Sequence, residues 1–313
     1  MAESPTGSTA SLPPAESRRL WIRLLSAAVT LAALAVLVVY LVANWSHVRA
    51  SYSMPPGPIA AMALMMFGIL ALRAAAHRAI FRRAIQTIRY GEWFEVVAAG
   101  ALSNLLPLSA GLVTKAYLVK RIHALSYRSY TGGQLALFLL GLVSSGLVGL
   151  AALFFLPWAR GTWIVGVAFL GMLIAGSVLL CPGPPVSRIW SKLGGVGGAK
   201  TPDLLGAAMT AGVLHASTLL LSAGKLYLAF SLGPERVPFA ACLVFAAVGI
   251  ATRFVTVTPG ALGVRELLIG ALAQLTGFSL GDALIASTID RVVEVVVTCA
   301  VGGVASFRLT TRL

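Results

Sequence analysis

TVTPGALGVRELLIG, from Thr256 to Gly270, sets a proline, two close glycines and an adjacent Arg265–Glu266 pair inside an otherwise oily region. A helix crossing lipid avoids all of these. Proline removes a backbone hydrogen bond, and a charge held in hydrocarbon is expensive. Whether this stretch lies in the membrane, and in what form, decides the fold.

Composition answers the first half of that question. The chain is 58% hydrophobic and 11% charged, where a soluble domain carries about 25% charged residues. Its mean hydropathy is +0.90. Apolar runs at 24–43, 57–72, 131–156, 162–180, 204–230 and 283–306 come close to or exceed the roughly 20 residues that span a hydrocarbon core. The expected fold is therefore all-α, a polytopic membrane protein with six full spans. Residues 1–17, rich in Ser, Pro and Ala, read as a disordered tail, and 18–313 as a single transmembrane domain.

The net charge of +14 sits in short loops between oily runs, where it sets topology instead of pointing to nucleic acid. Such loops also draw anionic lipid headgroups. Cys181, Cys242 and Cys299 show no metal-like spacing and read as small buried hydrophobes. No metal and no cofactor is expected.

Arg18, Arg19 and Arg23 put the N-terminus in the cytoplasm. The cluster Arg73, Arg78, Arg82, Arg83 and Arg89 after the second run is also inside. Its pattern suits an interfacial helix, with Ile80, Phe81, Ile85 and Ile88 on one side and Tyr90 and Trp93 at headgroup level. The segment 93–121 then has basic residues on both flanks and is broken in the middle by NLLPLSAG, Asn104 to Gly111. Each arm of about 14 residues reaches roughly 21 Å, short of the ~30 Å core. A hairpin that dips in from the cytoplasm and returns is expected. Continuing the alternation through the cytoplasmic loop 182–203 to Arg308 and Arg312 at an inside C-terminus leaves both ends of 237–281 outside. The opening stretch is the break of a second hairpin, approaching from the opposite face.

The two breaks look alike. Pro107-x3-Gly111 matches Pro259-x3-Gly263, each followed by a basic residue, Lys115 or Arg265, and then by an apolar-Ser step, Leu125-Ser126 or Phe278-Ser279. Opposed copies of this kind make an inverted repeat of 18–181 and 204–313, a common transporter architecture. Irregular backbone at membrane depth is tolerated only inside protein or around a wet cavity. Pro259, Gly260 and Gly263 permit the turn, and the helix that restarts beyond them presents an N-terminus suited to an anion. Arg265, with Arg253 or Arg291, would hold a headgroup. Glu266 has three options: pairing with an arginine, stabilising the first helical turn, or changing protonation. Asp290 and Glu294, four apart on the last span, would pair with these cations or gate them, the alternative being a structural ion pair that locks that span to the hairpin. The first-half cavity candidates are Asn104 and Lys115, with Ser109 and Thr114. Glu92 and Glu95 are expected at the interface, Lys225 to snorkel outward, His215 to pack between helices and Gln134 to bond between them.

NLLPLSAGLVTK, then TPGALGVRE, then GFSLGDA and the later Asp-Arg, resemble the lysylphosphatidylglycerol synthase transmembrane-region family, also described as flippase-like. The resemblance runs from about residue 20 to 308 and is strongest at PGALGVRE. It implies that Pro259, Gly260, Gly263, Arg265 and Glu266 form the family's proline-glycine loop, and that Arg291 matches a basic residue of the last span. The chain departs from the pattern in having no acidic-basic pair near Gln134 and no synthase domain after Leu313. What the resemblance implies is a free-standing, non-enzymatic protein of the bacterial cytoplasmic membrane. It would move a lipid with an anionic or polar headgroup: an anionic phospholipid, a glycolipid or a polyisoprenoid-linked intermediate. The alternatives are a lipid-binding partner of a lipid-biosynthetic enzyme and an intramembrane lipid-modifying enzyme. A second copy of the chain is a further candidate partner. No P-loop is present to supply nucleotide energy.

Overall fold

The computed structural model describes residues 55–82, 84–85, 87–105, 110–156, 161–180, 201–251 and 263–312. They form nine helices and no strand among the described residues: α1 Pro56–Phe81, α2 Tyr90–Ser103, α3 Ala110–His123, α4 Tyr127–Leu153, α5 Thr162–Leu180, α6 Thr201–Ser231, α7 Phe239–Ala251, α8 Val264–Leu275 and α9 Leu280–Thr310. Five of these, α1, α4, α5, α6 and α9, are long and apolar enough to cross a membrane. The protein is a multi-pass membrane protein. The expected first run, 24–43, and most of the loop 182–203 lie outside the described residues.

Local chemistry sets the helix boundaries. Pro56 opens α1, where a missing N–H costs nothing. Ser126 and Ser279, the two serines of the repeated step, each cap a long helix. Ser126 Oγ accepts the Ser129 N–H at 3.1 Å, and Ser279 Oγ accepts the Asp282 N–H at 3.2 Å. The oily segments expected to be broken are broken: α2 and α3 have 14 residues each, and α7 and α8 have 13 and 12. At 1.5 Å per residue each arm is roughly 18–21 Å long, too short to span alone.

The long helices form a common frame, with α1 against α6, α4 against α5 and α9 against α2 and α8. The two short-helix pairs sit at opposite ends of it. The core around α2 and α3 takes in the last turns of α1 (Ile80, Phe81), the first turns of α4 (Tyr130), Ala211 near the start of α6 and Leu309 at the end of α9. The core around α7 and α8 takes in the other ends: Met62 of α1, Ala152 of α4, Phe230 of α6 and Ala283 of α9.

One local expectation is corrected. No separate interfacial helix follows α1 among the described residues. The chain turns, and Ile80, Phe81, Ile85 and Ile88 are buried in protein. Trp93 is fully buried too, its ring 5.3 Å from that of Phe81, which in turn stacks on Tyr130 at 5.4 Å. Large aromatic surfaces gain more from mutual packing in a core than from lying half-wet at an interface.

Candidate functional site

Asp290 is the centre of the site. It lies three turns into α9 and is fully buried. Lys225 Nζ of α6 stands 2.9 Å from its Oδ1, and Arg265 Nη2 of α8 donates to its Oδ2 at 2.8 Å. The other arm of the Arg265 fork donates to Glu294 Oε2 at 2.9 Å, and Arg291 Nη1 lies 3.3 Å from that same oxygen. Because Asp290 and Glu294 are one helical turn apart on one face, a single planar guanidinium grips both rungs. The result is an ionic chain, Lys225–Asp290–Arg265–Glu294–Arg291, tying α6, α8 and α9 together inside the bundle.

Glu266 is turned the other way. Its Oε2 accepts the Gly263 N–H at 2.7 Å, so the carboxylate caps its own helix. Gly263 has φ of 80° at this cap, a conformation a residue with a Cβ adopts only at a cost. Of the three options for Glu266, stabilising the first helical turn describes its geometry. Its other oxygen is buried and finds no hydrogen-bond partner among the described residues.

The polar line continues towards the first hairpin along α1. Arg73 interacts electrostatically with Glu294, Arg265 and Arg291. One turn on, His77 Nδ1 donates to the Arg73 carbonyl oxygen at 2.8 Å. The His77 Nε2 lies 3.1 Å from the Gln134 side-chain amide of α4, where the Tyr130 hydroxyl also bonds at 3.1 Å. Lys115 and His215 add their fields at His77. Lys115 of α3 lies across Gly100 of α2, and Gly111 crosses that same helix so closely that a Cβ would collide with the Gly100 carbonyl oxygen and Asn104. Asn104 Oδ1 accepts the Gly111 N–H at 3.1 Å, which bridges the break.

The fold therefore brings together Arg265, Asp290, Arg291 and Glu294. It sets Glu266 beside them as a cap and uses Asn104 and Gly111 as a clamp on the first hairpin. Pro107, Pro259, Gly260 and Arg253 lie outside the described residues. One of these polar residues was misread from sequence: Lys225 does not snorkel outward, being 2% exposed and ion-paired. Glu95 is covered by protein and pairs with Arg312 Nη1 at 2.9 Å, beside the exposed end of α9. The missed signal for Lys225 was stoichiometric: Asp290, buried in an apolar helix, needs a cation, and one basic residue of the facing span was available.

Residues 21–302 match the lysylphosphatidylglycerol synthase TM region family. The chain belongs to that family. The match takes in both hairpins and every residue of the ionic chain, and it spans nearly the whole sequence. Among curated proteins no match is found. Family membership ties the protein to membrane lipids.

Proposed function

We propose that this protein is a flippase-like lipid transporter, non-enzymatic, which carries a lipid with an anionic or polar headgroup between leaflets. The single observation behind the reading is the polar line from Lys225 to Lys115. Groups of this kind inside a bundle of apolar helices have no purpose as lipid-facing surface, and intramembrane ionisable residues mark substrate pathways. The line runs between two short-helix hairpins packed at opposite ends of the frame, which supports two re-entrant hairpins related as an inverted repeat. The basic ends of α1 and α9 support a cytoplasmic first hairpin and C-terminus in a bacterial cytoplasmic membrane.

In this reading an anionic headgroup competes with Asp290 and Glu294 for Arg265. Each carboxylate keeps a second cation when Arg265 lets go, Lys225 for Asp290 and Arg291 for Glu294. Opening the chain at Arg265 therefore strands no buried acid. The acyl chains stay in lipid while the headgroup moves along the line.

The test is lipid movement in vesicles containing the purified protein, beside mass spectrometry of the lipids that co-purify with it. Wild type should accelerate exchange of one lipid class and carry that class in excess. Arg265→Gln, which leaves each carboxylate a partner, should lose both. Vesicles no faster than protein-free controls, with the same bulk lipids on wild type and variant, would sink the proposal.

A further inference from the structure

α3 is a peripheral helix. Among the described residues, only its Gly111, Leu118 and Val119 are buried. It is clamped to α2 by the Gly100–Gly111 crossing and rests only lightly on α4. Between α3 and α4 lies an open cleft of about 440 Å³, with Leu112, Val113 and Ala116 on the α3 side. Val113 is 65% exposed, so the cleft opens sideways, towards lipid. A second groove of similar size, about 480 Å³, lies between α1, α2 and α9.

Two features set the grooves apart. The first is hydroxyl groups. Thr114, Tyr117, Tyr127, Tyr130 and Thr131 all line the α3–α4 cleft. The described lining of the second groove has none: its walls are Phe67, Phe94, Val301 and Val304, with Glu95 and Arg308 at one end. In the α3–α4 cleft the hydroxyls descend in steps. Tyr127 opens α4, and the Lys120 ammonium stands 4.2 Å from the centre of its ring. Counted back along the helix from His123, Tyr117 is roughly 9 Å from the end of α3 and Thr114 roughly 14 Å. A belt of interfacial tyrosines explains Tyr127 and Tyr117. It does not explain hydroxyls that continue inward.

The second feature is what lies behind each groove. Tyr130 forms the back wall of the α3–α4 cleft and is only 1% exposed. Its hydroxyl donates to Gln134, whose amide also meets His77 on the polar line. One side chain therefore separates this cleft from the line. Behind the second groove stands the apolar cluster of Met66, Ile69 and Leu70, with Phe94 and Val301 packed against it.

We infer that the α3–α4 cleft takes up the phosphate headgroup of an anionic phospholipid and is its side entrance to the polar line, with Tyr130 the group that turns aside. Hydroxyls and the Lys120 ammonium stand in for the water that a phosphate gives up on leaving the surface. The acyl chains stay outside, in the lipid that the cleft faces. This deepens the transport reading and rests on it for passage beyond Tyr130.

The test places the full-length protein in vesicles of phosphatidylcholine and phosphatidylglycerol, one or the other carrying a photoreactive group on its headgroup. Adducts on the wild type are mapped by peptide mass spectrometry. Those of phosphatidylglycerol should gather on Thr114, Tyr117, Tyr127 and Thr131, severalfold over the exposed Val167 and Val178 of α5. They should also exceed the phosphatidylcholine adducts there severalfold. Movement of phosphatidylglycerol between leaflets is then compared in two variants. Thr131→Trp fills the cleft and Ala300→Trp fills the second groove; both positions are exposed, so each takes the larger side chain. Thr131→Trp should slow movement about tenfold, as a modest added barrier does, and Ala300→Trp should leave it unchanged.

Adducts spread evenly over the lipid-facing helices, or missing from the cleft because another part of the chain covers it, overturn the inference. The wild-type map alone decides this if a variant fails to fold. Phosphatidylcholine marking the cleft as strongly as phosphatidylglycerol overturns its choice of an anion. Movement equally fast in both variants, and faster than in protein-free vesicles, removes the entrance and leaves the transport reading standing. Adducts gathered in the cleft, in vesicles no faster than protein-free ones, keep the headgroup site and remove transport.

Discussion

The two hairpins are each a pair of short helices and are held by different forces. At the first, α2 and α3 close on neutral contacts: the Gly100–Gly111 crossing, the Asn104 amide on the Gly111 N–H, and the stack of Trp93, Phe81 and Tyr130. Its acids lie at the outer end, where Glu92 caps α2 and Glu95 meets Arg312. At the second, α8 is held from within by the Arg265 fork on two carboxylates and by the Glu266 cap on Gly263. Packing contacts are short-ranged and specific to one geometry, whereas an ion pair can exchange one anion for another. The first hairpin is held mainly by packing and the second mainly by ion pairs.

That contrast can be broken by substitution, starting with the largest effect. Asp290→Asn should be the most damaging, because Lys225 and Arg265 lose a shared buried carboxylate; removing one member of such a network costs about 3–5 kcal/mol. Thermal unfolding in detergent measures it, and a loss below that of the neutral hairpin variants would refute the asymmetry. Gly111→Ala drives a Cβ into the Gly100 carbonyl and should cost about 1–3 kcal/mol. Hydrogen exchange should then rise in α2 and α3 while α8 stays protected; a rise in α8 would show that the hairpins are not independent. Glu266→Ala removes the cap and should cost about 1–2 kcal/mol, with exchange rising at the start of α8. Glu95→Gln should be the smallest. Its partner Arg312 is half exposed, so a change of no more than about 1 kcal/mol is expected, shrinking further as salt is added. A larger, salt-insensitive loss would move Glu95 into the same category as Asp290.

The interruptions were legible because the membrane leaves few options. A proline and glycines inside an oily segment admit little besides a short helix and a break. Asp290 and Glu294 were legible as a pair for the same reason: lipid makes every charge conspicuous, and their spacing of four puts them on one face. Lys225 was not, since a lysine late in a span can escape to the interface with its own long stem, and the sequence does not say whether a carboxylate is nearer. Trp93 misled in a similar way. Its preference for interfaces is a statistical tendency, and Phe81 and Tyr130 offered a better apolar contact.

The sequence by itself determined the class of the molecule: an all-helical membrane protein with long spans, two interrupted segments and a small set of interior charges. Those properties follow from hydropathy, proline and glycine, which act within one segment and need no neighbours. Only the tertiary structure decided the pairing. Arg265 meets Asp290 and Glu294, Lys225 closes the chain from α6, Glu266 is spent on its own helix, and Arg73 faces the line without an ion pair among its three acids. Partner choice between charges depends on distances across helices far apart in sequence, and Coulomb energy inside a protein changes several-fold over the few ångströms that periodicity leaves open.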